Sequence, residues 1–395
     1  MIKTTLVGHA CLLIQSKETT ILTDPVWFDY LWEEINTLCP SIVLEKDKVP
    51  PLDVLNISHR HQDHFDVRTL AYLVKNKRIL TPDTLVLAPQ DNLLLDILNE
   101  LEFKNIRIVA DFEPIKVKDV TITPTPSRNQ LSTSEDPFPE HGLLVNDGEV
   151  TIWNQVDSLV NPDIIQHIIE LHGQIDFFHS RFVPLIEGNF SYNKPITLPI
   201  DEYCTFLNVV KALAPRFVVP GSAAFRYRDE LTFLNQYSFP TTQDQFLRDL
   251  EAFCPEVSRA PFFSGDIAHI SKDEIYIEKQ ASDFVRIKED NSQLITFKPN
   301  SEVPAIKTQT TDPEEYQREI KVVDDFIEKF FFERILKSDL LKGWQHWQIV
   351  YQLEVFGQDG PQTWTIDFGQ PKQLQLHKGE VGKINLYEGI SSSEL

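Results

Sequence analysis

The chain has 395 residues, four cysteines and a formal net charge of −22, long enough for a large core and two domains. The acidic balance disfavours nucleic acid and anionic membrane surfaces, and no basic run offsets it. Cys11, Cys39, Cys204 and Cys254 show neither CxxC spacing nor a disulfide framework, Met1-Ile2-Lys3-Thr4 leads straight into a strand pattern, and no apolar run approaches a membrane span, so a soluble cytoplasmic protein is expected.

In chain order, Gly8 to Ile14 and Thr20 to Thr23 read as paired strands closing on Asp24-Pro25. Strand Asp53 to Ser58 runs into His59-Arg60-His61-Gln62-Asp63-His64, followed by a helix from Val67 to Asn76. Strand Leu85 to Ala88, helix Asp91 to Leu101 and strand Ile106 to Val109 come next. Short strands are predicted at Leu143 to Val145 and Glu149 to Trp153, then helix Pro162 to Leu171, apolar run Ile175 to Phe178, helix Glu202 to Leu213 and strand Arg216 to Val219. This alternation through about residue 255 predicts an α/β chain.

The loop after Ser58 carries the chemistry. At this composition an HxHxDH run arises by chance in on the order of one in a thousand chains. On an extended loop alternate residues point the same way, so His59 and His61 can present two imidazoles to one ion. The turn into the helix can swing Asp63 and His64 toward a second. Imidazoles with carboxylates suit zinc, iron or manganese rather than calcium, so two divalent ions are the expected cofactors. His9 is within reach of the same pocket, but satisfaction by backbone is the expectation for it. Arg181, Arg226 and Arg228 offer a pocket for an anionic substrate, weighed against ordinary surface ion pairs. Phe177, Phe178, Phe182 and Phe225 offer an apolar one, weighed against core.

These features, with the Thr23-Asp24-Pro25 turn, resemble the metallo-β-lactamase superfamily across most of the chain. The resemblance implies an αββα sandwich over residues 1–270, with Asp24 beneath the metal loop. It implies one ion on His59, His61 and a third histidine, a second on Asp63, His64 and a last histidine, and a bridging aspartate. Asp157, in Asn154-Gln155-Val156-Asp157-Ser158, is the candidate bridge; His141 and His179 are candidates for the remaining histidines. Pro220-Gly221-Ser222, where hydrolytic relatives often carry the last histidine, has none.

Asp24 to Phe28, Asn154 to Asp157 and Ala214 to Gly221 look similar to the catalytic part of the CMP-N-acetylneuraminate hydroxylase family, which implies an oxygenase. That family's Rieske domain, with its paired Cys-His motifs, has no counterpart in this sequence, so electrons would come from a partner protein or a cosubstrate.

Residues 271–310, polar and irregular, read as a linker. Beyond them come a helix from Pro313 to Arg334 and strands Trp347 to Phe356, Thr363 to Asp367 and Gln373 to Leu376, with Gly357-Gln358-Asp359-Gly360 as a hairpin turn. This small α+β domain, residues 311–395, resembles the sterol carrier protein type 2 family, which implies an apolar ligand; packing or homo-oligomer formation is the other reading. For the main site the expectation leans to hydrolysis of a phosphoester or acyl substrate, with Asp63 or Asp157 as the catalytic carboxylate handling the proton of an activated water. The alternative is a di-iron oxygenase.

Overall fold

The computed structural model describes residues 1–31, 34–128, 139–184, 186, 188–190, 194–222, 225–302, 305–370 and 374–395. The chain divides into two units: Met1–Pro184, Leu198–Asn235 and Phe239–Phe297 form the first, and Leu185–Thr197, Gln236–Ser238 and Lys298–Leu395 the second.

The first unit is built on two sheets. One runs, in spatial order, Ile275–Glu278, Ile267–Ile270, Ile2–Gly8, Cys11–Gln15, Thr20–Thr23, Leu52–Asn56, Leu80–Ala88, Ile106–Ile108. The other runs Ile115–Val117, Val120–Pro126, His141–Asn146, Thr151–Asn154, Phe177–Arg181, Phe217–Gly221, Ser258–Arg259. Strand residues alternate between two apolar layers. Ile14, Ile21, Val54 and Leu87 meet Leu143, Val145, Ile152, Phe177 and Val219 between the sheets. Their neighbours Leu13, Leu22, Leu55 and Val86 pack under helices Val67–Lys75 and Asn92–Glu100. Leu144, Trp153, Phe178 and Val218 pack under helices Pro162–His172, Ile200–Leu213 and Gln243–Phe253. Burial on both faces explains why these strands read as nearly continuous apolar runs. The predicted helix, sheet, sheet, helix layering is present.

Within each sheet the strands nearest the site are parallel: Thr20–Thr23 with Leu52–Asn56 and Leu80–Ala88, and Thr151–Asn154 with Phe177–Arg181 and Phe217–Gly221. Their carboxyl ends therefore lie along one edge, the usual place for a site in such sheets. That edge carries Asp24, the loop Ile57 to His64, Asp157 and Ser222.

The stretch 271–310 is not a simple linker. Ile275–Glu278 pairs with Ile267–Ile270, and Val285–Glu289 pairs with Ser41–Leu44, so the first unit runs to Phe297. Edge strands with one solvated face carry so many polar residues that their alternation was read as irregular.

The second unit holds a four-stranded sheet ordered Leu376–Lys378, Gly360–Asp367, Val350–Gly357, Leu386–Ser391. The hairpin at Gly357 and Gly360 forms as predicted. The helix begins at Pro313 behind an Asp312 cap, passes through a π turn at Phe326–Phe331 and ends at Leu336. Val323, Ile327, Ile335, Tyr351, Leu353, Val355, Trp364 and Ile366 fill the space between helix and sheet. Of the predicted strand Gln373 to Leu376, Gln373 lies outside the described residues. No described helix is long and apolar enough to cross a membrane.

Candidate metal centre

Strand Leu52–Asn56 delivers the chain to the sheet edge, and the Thr23-Asp24-Pro25 turn beside it presents a carboxylate to the loop that follows. Asp24 is 1% exposed and has a left-handed backbone, φ 38°. Its Oδ1 accepts the Ser58 amide at 2.7 Å, and its Oδ2 accepts the Ser58 hydroxyl at 2.7 Å and lies 3.0 Å from His64 Nδ1. Ser58 Oγ, having given its proton to Asp24, accepts at 2.9 Å from His59 Nδ1. One carboxylate thereby places the Nδ1–H of both rings, so that Nε2 is the atom each ring can offer to a metal ion.

Those nitrogens converge with other donors. His59 Nε2 lies 2.9 Å from His61 Nδ1. His64 Nε2 lies 3.4 Å from Asp157 Oδ2, 3.5 Å from Asp63 Oδ2 and 3.2 Å from His9 Nε2, while His9 Nε2 lies 3.0 Å from Asp63 Oδ2. Two groups result, His59 with His64 and Asp157, and His9 with Asp63 and His64, each with donor atoms within 4.8 Å of one another. Ligand atoms bound at about 2.1 Å to one ion sit roughly 3 Å apart. Asp63 Oδ1 is buried with no hydrogen-bond partner among the described residues. The donor set, all imidazole and carboxylate, thus fits a pair of divalent ions.

The electrostatics match. Burial works against charge on His64, but Asp63 and Asp157 beside it hold its pKa well above the ordinary imidazole value. Burial, with His64 and His61 adding to it, pushes His59 well below. Burial would raise both carboxyls, yet the neighbouring His64 overrides it, holding Asp63 at about 2 and Asp157 well below the usual range. Without a cation the group balances its charge with a proton on His64.

Backbone strain collects at the same edge. His9, Asp24, Val156 and Ser222 adopt left-handed φ values of 50°, 38°, 56° and 65°. A β-branched residue such as Val156 is a genuine outlier there, at a cost of order 1–3 kcal/mol. Each strained residue is, or directly precedes, a side chain at the site or closes a strand facing it.

His141 and His179 fall in neither donor group. His141 Nε2 lies 2.9 Å from Asn56 Oδ1, and its amide donates to Ser58 O at 3.3 Å, so it props the metal loop from the other sheet. His179 Nδ1 lies 2.8 Å from Asn154 Oδ1, below the Asp157 loop, and its ring packs on Gly221. Burial lowers the pKa of both, His141 to about 4 and His179 to about 3.

Two residues were under-read in the sequence. His9 enters the donor cluster rather than being absorbed by backbone alone. Glu140 directly precedes strand His141–Asn146, next to the histidine that the sequence offers as a ligand. Burial raises its carboxyl pKa; Ser127 hydrogen-bonds it, and Asp157, Arg181 and His61 are its charged neighbours. The nearest signal is a second ligand-type residue beside His141.

The three arginines do not converge. Arg181 is 4% exposed and donates to Asp157 O, pinning that loop. Arg226 donates to Tyr227 O, and Arg228 pairs with Asp229 at 2.7 Å. Phe177 and Phe178 are core. Phe182, with Leu6, Cys39, Phe239, Phe262 and Phe263, lines a cavity of about 400 Å³ whose rim includes Thr241, Asp244 and Asp290. Phe225 stacks edge-on between His9 and Phe239, and Phe262 edge-on against His179, so the cavity wall adjoins the centre.

Residues 3–222 match the family model of the beta-lactamase superfamily domain, more than half of the chain. The chain belongs to that superfamily. Its metallo-β-lactamase fold carries an additional C-terminal domain beyond the matched residues. A protein of Mycolicibacterium smegmatis described as a Rieske 2Fe-2S iron-sulfur protein is 28% identical over 200 residues, covering 48% of this chain and 36% of that protein. The 4-amino-L-phenylalanyl-[CmlP-peptidyl-carrier-protein] 3-hydroxylase of Streptomyces venezuelae is 27% identical over 174 residues, covering 43% and 32%. A UPF0173 protein of Pyrococcus furiosus is 27% identical over 218 residues, covering 54% and 79%. The match thus spans about a third of the length of the first two relatives. Among solved structures, CmlA, a diiron beta-hydroxylase from Streptomyces venezuelae, superposes with TM-score 0.46 at 20% identity, covering 66% of this chain and 53% of that one. An isothiocyanate hydrolase from Delia radicum gut bacteria gives TM-score 0.48 at 17% identity, covering 69% and 100%.

Proposed function

We propose that this chain is a dinuclear metal-dependent oxygenase that hydroxylates an apolar or aromatic small molecule, using two iron ions and electrons from a separate donor protein. The observation that carries this reading is the composition of the donor set. Asp63 and Asp157 bring two carboxylates to His9, His59 and His64, His61 Nδ1 lies 2.9 Å from His59 Nε2, neither donor group includes a thiolate, and Glu140 is a further carboxyl among the electrostatic neighbours of Asp157. Two imidazoles with one carboxylate, the composition of each donor group, is the ligand set of non-haem iron oxygenases. A hydroxylase among the curated relatives supports the same direction. The sequence alone leans narrowly to hydrolysis because that is the commoner use of such a site, while the lack of a histidine at Pro220-Gly221-Ser222 already favours the oxygenase.

Paired irons, when bound, supply the reduction of dioxygen: a C–H bond becomes C–OH, the second oxygen leaves as water, and two electrons and two protons are consumed. The chain's residues do the rest. His59, His61, Glu140 and Asp157 would hold one ion, and Asp63, His64 and Asp157 the other. Asp24 and Ser58 keep His59 and His64 in the binding tautomer. Arg181 keeps the Asp157 loop in place. The phenylalanine-lined cavity takes the substrate and excludes bulk water from the apolar side.

Hydrolysis is the second reading, supported by Asp63 Oδ1, buried without a hydrogen-bond partner among the described residues and available to an activated water. Elemental analysis of anaerobically purified protein, with optical spectra before and after oxygen, decides between them. Two irons per chain and an oxygen-dependent spectrum are expected; zinc with no response to oxygen would transfer the assignment to a hydrolase acting on phosphoester or acyl substrates. For the C-terminal unit we keep a sterol-carrier-like apolar ligand site as a proposal, tested by binding of a fluorescent fatty acid to the full chain.

A further inference from the structure

We propose that His9 is a direct ligand of the second metal ion, completing with Asp63, His64 and Asp157 a site drawn from three separate segments of the chain. The inference rests on the dinuclear reading above and specifies which residue fills its second half. The motif loop would supply Asp63 and His64, and the Val156-Asp157 loop a further carboxylate, whose Oδ2 lies 3.4 Å from His64 Nε2. A further nitrogen comes from the first hairpin, between strands Ile2–Gly8 and Cys11–Gln15.

Three observations point to it. His9 Nε2 approaches the donor atoms of both Asp63 and His64, at 3.0 and 3.2 Å, and one cation can satisfy all three at once. A simple hydrogen bond from His9 to Asp63 would use only Oδ2. Asp63 Oδ1 is left buried without a partner among the described residues, as a carboxylate aimed at a cation would be. Lastly, the hairpin pays a backbone cost to aim this ring. The antiparallel register shifts between Leu6 and Gly8, and His9 takes φ 50°, a conformation suited to glycine or asparagine. The ring is 3% exposed and held edge-on between His64 and Phe225, whose contacts fix its plane. A histidine kept in a turn against backbone preference, with its Nε2 at the donor cluster, is placed for ligation.

The arrangement gives the second ion two imidazoles and one carboxylate besides the bridge, the 2-His-1-carboxylate composition typical of non-haem iron. Asp63 and His64 are adjacent in sequence, whereas His9 is 55 residues from His64. Loading of the second ion therefore ties the amino-terminal hairpin to the motif loop, which the first ion, held by His59 and His61, does not do.

The test is a cobalt titration of the metal-stripped full chain, followed by visible absorption, comparing the wild type with His9→Gly and His9→Asn. Both replacements suit a left-handed φ, so neither strains the turn, and a thermal melt of the stripped proteins confirms that they fold. The wild type is expected to take two equivalents of Co²⁺. Each variant should take one equivalent with unchanged affinity and bind the second at least about tenfold more weakly, in line with losses of 10–100-fold seen when even indirect partners of a ligand are removed. Free imidazole should restore the second equivalent in His9→Gly, where the space of the ring is vacated, and not in His9→Asn. Two equivalents of unchanged affinity in both variants would overturn the assignment of His9 alone and leave it an orienting residue for Asp63. A wild type that binds fewer than two equivalents would overturn the dinuclear reading, and this inference with it.

Discussion

Asp24 and His64 are joined by a 3.0 Å contact at the base of the metal loop, and the same carboxylate reaches His59 through the Ser58 hydroxyl. Asp24→Asn should release both rings from their tautomers and lower metal affinity by about 10–100-fold. Ser58→Ala should affect the ion on His59 and His61 and largely spare the other. Competition against a chromophoric chelator resolves the two ions; equal losses at both in Ser58→Ala would refute the relay.

His61→Ala should abolish loading of the first ion and all activity, because His61 Nδ1 faces His59 Nε2 and an alanine leaves the latter with no partner for a shared ion. Metal content per chain is the measurement. A variant that retains its full complement would remove the central claim.

Gly221 has no room for a methyl group. A Cβ there would lie 2.7 Å from His179 Cε1 and Nδ1, inside any real contact distance. Gly221→Ala should cost about 1–3 kcal/mol, read as a lower urea midpoint at unchanged m-value. It should also displace His179 from Asn154, so that the Asp157 loop loosens and metal affinity falls together with stability.

Acid should weaken the fold through His179. Burial holds its folded pKa at about 3, below the 6.5 of a free imidazole. Between those values the unfolded chain binds a proton that the folded one does not, so stability is full above pH 6.5 and falls as pH drops toward 3. The contribution is on the order of a few kcal/mol. His179→Gln should flatten the urea-midpoint profile in that window; an unchanged slope would show that other groups carry it.

How far the sequence spoke depended on the range of each signal. His59, His61, Asp63 and His64 were legible because six consecutive residues carry their spacing, and Asp24 because the turn before Pro25 is local. Asp157 was reached through the resemblance to the metallo-β-lactamase superfamily, from the strand and loop around it. Glu140 was hidden because its neighbours Ser127, Asp157 and Arg181 come from separate segments that only the folded chain brings together. His9 was hidden because a register shift and a left-handed backbone turn it inward, and neither leaves a pattern in residue types. His179 was placed at the right edge, but the partner that occupies it, Asn154, lies on the neighbouring parallel strand.

The four left-handed residues at the sheet edge give this protein an uneven clock. His9, Asp24, Val156 and Ser222 sit in backbone wells that relax once a loop is released, while the strands beneath them gain nothing by moving. Local opening at this edge should therefore cost the arrangement of the candidate donors before it costs the sandwich beneath them.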